Sequence, residues 1–337
     1  MFRIEVSQDL DTLLANEQAW NALARGVPFR ETSWLGPWWR QFGAGKQAWV
    51  LVARDGEDAI RGLLPLYRTT QPSSKRTLAI IGDGAACSDH ASILAKEADA
   101  TAVAEAMGRH LAGCAADSDH GWDVISMDGV VEGDRPMAAF AAALKNGGAS
   151  LHAQSRMSVW FRAVEASWDA HLKTHGKTQR RKMRRWSEKI EQTEGLDKVL
   201  PESPAQVELL LDSMIQLHQR RWNEAGQPGS YADPTFRRFI HQAAREFFRR
   251  GRLHLPTLAL HRQTIGGELH FLGEDRRLYC YSSGFDIQSS ELEPGRILCT
   301  ETLRDLYRME LAGIDYLRGD ETYKQRMSAQ PSRLFQL

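Results

Sequence analysis

Thr264-Ile265-Gly266-Gly267-Glu268-Leu269-His270-Phe271 leads into Tyr279-Cys280-Tyr281-Ser282-Ser283-Gly284-Phe285-Asp286. Then come Glu293-Pro294-Gly295-Arg296-Ile297-Leu298 and Ile314-Asp315-Tyr316-Leu317-Arg318-Gly319-Asp320-Glu321-Thr322-Tyr323-Lys324. The stretch 264–326 reads as strands, a helix and one more short apolar strand. Side chains alternate along a strand, so Glu268 and His270 share one face while Leu269 and Phe271 share the other. Two ionisable groups beside an apolar face suit a general-base pair, and equally a solvated sheet face. Tyr279, Tyr281 and Ser283 also share a face, as the lining of a groove or as cross-strand packing. Pro294-Gly295 opens an apolar-periodic helix. Its free N–H groups and positive end suit a phosphate, and the glycine lets a ligand approach the backbone. The same pair is also an ordinary helix start. Arg318-Gly319-Asp320 lies past a strand end, where sites in open sheets gather. Tyr323 suits protonating a leaving thiolate and Lys324 suits holding an oxyanion or phosphate. The plain alternative is a surface turn with a half-buried tyrosine.

The second half opens with a strand at 157–163 and a basic helix over about 167–193. Between Lys173 and Lys189 that helix carries eight Lys or Arg against one acid, Glu188. Lys177, Arg181, Arg184 and Arg185 fall near one face, a bias that suits an anionic partner as well as a solvated surface. A helix over 204–225 ends in His218-Gln219-Arg220-Arg221-Trp222, and Asp233-Pro234 starts another over 235–250. Strands at 253–261, 264–273 and 276–285, a helix at 295–312 and strands at 314–318 and 333–336 complete the half. The first half runs in the same order. A strand at 2–6 and a helix over 9–25 precede a short helix from Thr32 or Ser33 to Phe42. Strands at 47–54, 59–69 and 77–82, a helix over 97–117, a strand at 122–127, a helix over 136–146 and a strand at 149–153 follow. The expected fold class is therefore α+β, with domains 1–155 and 156–337 holding mixed, mostly antiparallel sheets flanked by helices.

The composition fits that reading. The chain has 337 residues, 42% hydrophobic and 26% charged, enough apolar mass for two cores. Formal net charge is zero, which argues against a bulk nucleic-acid or membrane-surface role. The halves differ, however: residues 1–155 sum to −5 and residues 156–337 to +5. Cys87, Cys114, Cys280 and Cys299 form no C-x-x-C pair and read as reduced thiols. No stretch approaches a membrane span, and the N-terminus reads as a strand rather than a signal peptide, so the expected location is cytoplasmic. His171 and His175 have i, i+4 spacing but lack the intervening Glu of a zinc-protease helix, and no metal is expected. Gly-x-Ser-x-Gly, the phosphate-binding Gly-Lys-Ser/Thr loop and Gly-x-Gly-x-x-Gly are absent from the sequence.

An Arg-rich helix, His-x-x-Arg-Trp, a strand meander, Pro-Gly-x-x-Leu, an aspartate-bearing strand and Gly-x-x-x-Tyr-Lys follow one another. This order resembles the CelD-like acyltransferases of the GNAT superfamily, linked to polysaccharide or cellulose production. It is also similar to the Fem peptidyltransferases, which carry two GNAT-like domains. The match is best over about 155–330. In the first half Phe29, Trp34 and Trp38 fit the early aromatic segment. The resemblance implies tandem GNAT-like domains, the first structural and the second an acyltransferase using a coenzyme A thioester. Strand 276–285, with Tyr281, Ser283 and Gly284, would pair with the pantetheine arm. Pro294-Gly295-Arg296 takes the place of the pyrophosphate loop but departs from Gln/Arg-x-x-Gly-x-Gly/Ala. Tyr323, Lys324, Glu268, His270 and Asp320 would do the chemistry. Arg181, Arg185, Arg221 and Trp222 would meet a small-molecule, glycan or peptide acceptor. Two alternatives are an aminoacyl-tRNA-dependent transferase of Fem type, without a long inserted helical hairpin, and a non-catalytic binding module.

Overall fold

The computed structural model describes residues 2–69 and 75–337. They divide into two compact units, Met1–Val159 with Ser332–Leu337, and Trp160–Pro331. Both are α+β, with mixed, mostly antiparallel sheets flanked by helices, which is the expected class.

In the first unit β1 (Arg3–Ser7) is followed by α1 (Leu10–Ala15), α2 (Glu17–Ala24) and α3 (Thr32–Phe42). Then come β2 (Lys46–Arg54), β3 (Ile60–Thr69), β4 (Thr77–Ile80), β5 (Leu94–Ala95), α4 (Ala100–Cys114), β6 (Val124–Ser126), β7 (Asp128–Val131) and α5 (Arg135–Asn146). The sheet order is β1-β2-β3-β4-β6, antiparallel except for the parallel pair β4–β6. Trp49, Leu51, Leu64, Leu66, Val103, Met107 and Phe140 build its core. Trp34 and Trp38 are buried in α3, and their indole N–H groups donate to Ser88 Oγ at 2.7 Å and to the Asp83 carbonyl at 3.1 Å. A buried indole needs such a partner. The expected single helix over 9–25 is two, because Asn16 ends the first and its side chain accepts from Ala19 N to cap the second. The strand expected at 149–153 is absent, since β8 (Gln154–Ala163) starts only at Gln154.

The division between the units falls within β8. Beyond it lie α6 (Trp168–Lys173), α7 (Lys177–Gln192), β9 (Leu196–Val199), α8 (Pro204–Glu224), α9 (Pro234–Arg249), β10 (Leu253–His254) and β11 (Thr257–Leu260). Next come β12 (Gln263–Leu272), β13 (Arg277–Phe285), α10 (Pro294–Arg308), β14 (Gly313–Arg318), α11 (Thr322–Arg326) and β15 (Gln330–Gln336). The basic helix expected over 167–193 thus breaks at 174–176. Thr174 Oγ1 there donates to the His171 carbonyl and accepts from Arg162 Nη2, each at 2.8 Å. Ser203 and Asp233 cap α8 and α9, each with proline at the first turn.

Strand order in the second unit is β14-β13-β12-β11-β9, with β10 also on β12. Gly267 and Gly284 are paired across β12 and β13. A Cβ on Gly267 would lie 2.9 Å from Met214 Cβ, and one on Gly284 would run into the Met214 carbonyl. The two glycines therefore let α8 lie directly on the sheet. Their neighbours Glu268 and Ser283 point the other way, toward α10. Among the described residues, no helix is long and apolar enough to cross a membrane.

Candidate active site

β13 and β14 run parallel and pair over Arg277–Tyr279 with Gly313–Asp315. The register goes no further, although β13 continues to Phe285. Parallel strands that part expose the backbone donors and acceptors of both edges. β14 ends in left-handed backbone at Leu317 (φ 55°) and Gly319 (φ 114°). Asp315 Oδ1 accepts from Leu317 N at 2.9 Å, which turns the strand end. Lys324 fixes that turn. It is 2% exposed, and its ammonium donates to the carbonyls of Leu317, Arg318 and Gly319 at 3.1, 2.8 and 3.0 Å. Glu321 lies 2.9 Å from the same nitrogen. An ammonium has three protons, and three carbonyls take them. The expectation that Lys324 holds an oxyanion or phosphate is corrected accordingly: it holds the strand end.

Glu268 and His270 do share a face, and that face is buried beneath α10 rather than solvated. Thr302 Oγ1 donates to Glu268 Oε2 at 2.7 Å, and His270 Nε2 lies 3.4 Å from the same oxygen. Burial pushes the Glu268 carboxyl up to about 7, with Asp305 adding to the rise and Thr302 and Lys198 opposing it. Burial, then the neighbouring His254, holds His270 well below the usual imidazole range. Tyr323 is half-buried and packs edge-on against Tyr316, with ring centroids 6.0 Å apart. Burial raises both phenols far above their ordinary value, with Cys280 and Cys299 adding to it. Glu268 also adds to the rise at Tyr323. The Tyr316 hydroxyl is buried with no hydrogen-bond partner among the described residues. Such groups stay protonated near neutral pH and donate their O–H only as a hydrogen bond.

The alternation expected for Tyr279, Tyr281 and Ser283 fails at a bulge. Leu269 pairs with Ser282 and His270 with Cys280, leaving Tyr281 extra. Tyr281 then packs on Phe271, centroids 5.7 Å apart, with Tyr279 opposite Phe271 in register, while Ser283 stands with Glu268 on the α10 side. An inserted residue shifts every later side chain by one face. Gly284 is likewise explained by the α8 backbone at its Cβ position rather than by room for a ligand.

The start of α10 differs from a glycine cradle. A Cβ on Gly295 would meet the Phe285 ring at 3.2–3.3 Å, and one on Gly266 would meet it at 3.0 Å. Phe285 thus takes the close approach expected of a ligand at Pro294-Gly295. Glu293, left-handed at φ 60°, places its carboxylate on Arg185 Nη2 (2.6 Å) and Trp186 Nε1 (2.9 Å). The Arg296 guanidinium stacks over Trp186 at 5.9 Å. Lys177, Arg181, Lys182 and Arg184 are exposed on α7 and, among the described residues, have no ion-pair partner. Arg185 shares that helix but is spent on Glu293.

Three expected residues stand apart. Asp320 is exposed and accepts from Trp160 Nε1 at 3.3 Å, which ties it to β8 rather than to Glu268. Arg221 and Trp222 are exposed near the end of α8, on the sheet face opposite Glu268, where Trp222 Nε1 donates to His218 Nε2 at 3.0 Å. Sequence reading missed Thr302 and Tyr316. Thr302 sits on the inward stripe of α10, where the helical period alone could have flagged it.

The stretch that holds these strands and side chains matches a family model. Residues 177–325 match the acetyltransferase (GNAT) domain. No curated protein matches the sequence. The fold is similar to that of FemX, at TM-score 0.65 and 11% identity over 95% of each chain. It is also similar to the C-terminal domain of a putative lysylphosphatidylglycerol synthetase from Agrobacterium fabrum, at TM-score 0.57 and 10% identity, over 98% of this chain and 92% of that one. The L-PGS structure from Bacillus licheniformis gives 0.55 and 11%, over 97% and 90%. At these identities the likeness is one of fold. The matched stretch runs from α7 to α11, so β13, β14, Glu268, Tyr316 and Tyr323 all lie inside it.

Proposed function

We propose that the second unit is an acyltransferase that takes a coenzyme A thioester as donor and an amine or hydroxyl of a small molecule, glycan or peptide as acceptor. The observation that carries this reading is the parting of β13 from β14 beyond Tyr279, inside the GNAT domain and with Glu268 and the tyrosine pair on its α10 side. The open edge of β13 offers backbone groups to a pantetheine arm. Without a glycine loop, the diphosphate falls to Arg296 and the unpaired cations of α7.

In the reaction the acceptor nitrogen or oxygen attacks the thioester carbonyl, and its proton goes to the Glu268 carboxylate. The carbon–sulfur bond breaks, and the thiolate leaves with a hydrogen bond from the O–H of Tyr323 or Tyr316. Holding donor and acceptor together supplies much of the rate. A base near neutrality is well matched to this task.

Thermal melting with acetyl-CoA, a long-chain acyl-CoA and aminoacyl-tRNA in separate arms tests the reading. A rise with an acyl-CoA, weakened about tenfold in affinity by Arg296→Ala, supports it. No response to any acyl-CoA overturns it. A response to aminoacyl-tRNA that falls steeply with salt favours a tRNA-dependent transfer instead, for which the FemX-like fold and the basic α7 speak.

A further inference from the structure

Behind Glu268 lies a line of buried groups that the acyl-transfer reading does not use. His270 Nδ1 is 3.1 Å from His254 Nδ1, the two ring planes being 13° from parallel. His254 Nε2 is 3.1 Å from Asp305 Oδ2. Asp305 Oδ2 also accepts from Lys198, and its Oδ1 accepts from Arg308 at 2.8 Å. His254, His270 and Glu268 are 4%, 2% and 7% exposed, so water does not compete for these contacts.

We infer that Glu268-His270-His254-Asp305 is a proton-holding string, which takes up the proton released by the attacking group and keeps it at either of two places. The inference rests on Glu268 being the base of the proposed acyl transfer. His270, His254 and Asp305 act through Glu268 and are positioning residues.

Hydrogen parity fixes where the protons of the string sit. Burial would raise the Asp305 carboxyl, but the His254 and Lys198 hydrogen bonds outweigh it and keep the group ionised. Asp305 then only accepts, so His254 presents Nε2–H to it. Neutral His254 is left with a lone pair on Nδ1. The contact between the two Nδ1 atoms needs one hydrogen, which His270 supplies. His270 is then left with a lone pair on Nε2, facing Glu268 Oε2 at 3.4 Å. A carboxylate there meets lone pair with lone pair. A carboxylic acid there donates O–H to nitrogen. The alternative tautomers move the mismatch to Asp305 without removing it. The string therefore has room for one proton.

That proton has two positions of equal count. In one, Glu268 is a neutral acid, His270 carries Nδ1–H and His254 carries Nε2–H. In the other, the Glu268 proton has passed to His270 Nε2 and the His270 Nδ1 proton to His254 Nδ1. This leaves a Glu268 carboxylate and a His254 imidazolium against Asp305. Three hydrogens are present in each arrangement. The second restores the base without any proton leaving the interior.

The surroundings do not supply a competing titration. Lys198, on β9, is shared between Asp305 and Glu301, and Glu301 is otherwise satisfied by Arg304 and Arg308. Cys280, opposite His270 in register, and Cys299, on α10, are both pushed up by burial and stay thiols. Thr302 donates to Glu268 in both arrangements.

The test is an NMR titration of the ligand-free full chain from about pH 5 to about pH 9, with 15N in the histidine rings and 13C in the glutamate carboxyls. Glu268→Gln, His254→Asn and His270→Asn assign the signals. Below the Glu268 midpoint, His270 is expected as the Nδ1–H tautomer and His254 as the Nε2–H tautomer. All three groups are expected to move through one shared midpoint. Asp305→Asn is expected to lower that midpoint by about one pH unit and to uncouple the rings from it. Glu268 titrating while both rings stay still, or His270 carrying its hydrogen on Nε2 beside a neutral His254 at low pH, overturns the string. The wild-type titration decides alone should Asp305→Asn fail to fold. A shared midpoint in a protein that no acyl-CoA stabilises would instead leave the string standing and remove the proposed reaction.

Discussion

Lys324 shows how much one buried charge organises at the residue scale. Its ammonium is nearly inaccessible and converts three adjacent carbonyls at the end of β14 into a fixed turn. Lys324→Met removes all three donors and leaves those carbonyls unsatisfied. Urea unfolding is expected to show a loss of about 2–4 kcal/mol, and Lys324→Arg, with a wider head group, should not restore it. A second case is His171 and His175. Burial first, and then the Arg162 charge, lowers them to about 3 and about 4. In the unfolded chain both protonate near 6.5, so stability is full above that pH and is lost as pH falls through it toward 4. His175→Asn is expected to reduce that slope in denaturant titrations at stepped pH, and an unchanged slope would count against the assignment. Glu268 has the opposite sign. Its carboxyl is raised to about 7, so the folded state holds a proton that the unfolded state loses above about 4.5. Stability declines as pH rises from there through 7, and Glu268→Gln should abolish the decline in the same titrations.

At the scale of elements, the sheet of the second unit is placed by what its strands lack. Gly267 and Gly284 leave no side chain between α8 and the sheet, so β12 and β13 turn their remaining chemistry toward α10. Gly284→Ala would drive a methyl into the Met214 carbonyl. It is expected to cost about 1–3 kcal/mol in thermal or urea unfolding, with no effect if the helix shifts freely. α7 is the other informative element. Met183 and Trp186 bury one stripe, and cations crowd the rest. That crowding was legible from the sequence because helical spacing fixes which residues are neighbours. The break at 174–176 and the bulge at Tyr281 were not. Each is set by partners distant in sequence, Arg162 for the first and the β12 register for the second.

At the scale of the whole molecule, the chain forms two units, and its last six residues belong to the first. β15 pairs antiparallel with β7 through Leu334–Val131 and Phe335–Val130, and Leu337 exchanges backbone hydrogen bonds with Met127 at 2.9 and 3.0 Å. Phe335 and Leu337 also pack against the first core. Deleting 332–337 is expected to lower the melting temperature of the first unit by several degrees, read by calorimetry. Any stabilisation of the second unit by acyl-CoA should survive the deletion. A single unchanged transition would sink this expectation.

The amino-acid sequence alone determined the α+β class and most of the succession of helices and strands. Periodicity and caps are local properties, and a few neighbouring residues suffice to express them. It also put Glu268 and His270 on one face, because alternation is fixed by the backbone. Tertiary structure decided what that face meets. Whether a carboxyl is solvated or raised to about 7 depends on α10 lying over it. Whether a lysine reaches a ligand or clamps a turn depends on where β14 ends. His254, Asp305 and Lys198 stand 16, 35 and 72 residues from His270 along the chain; what unites them is a shared, water-free volume that no local pattern encodes.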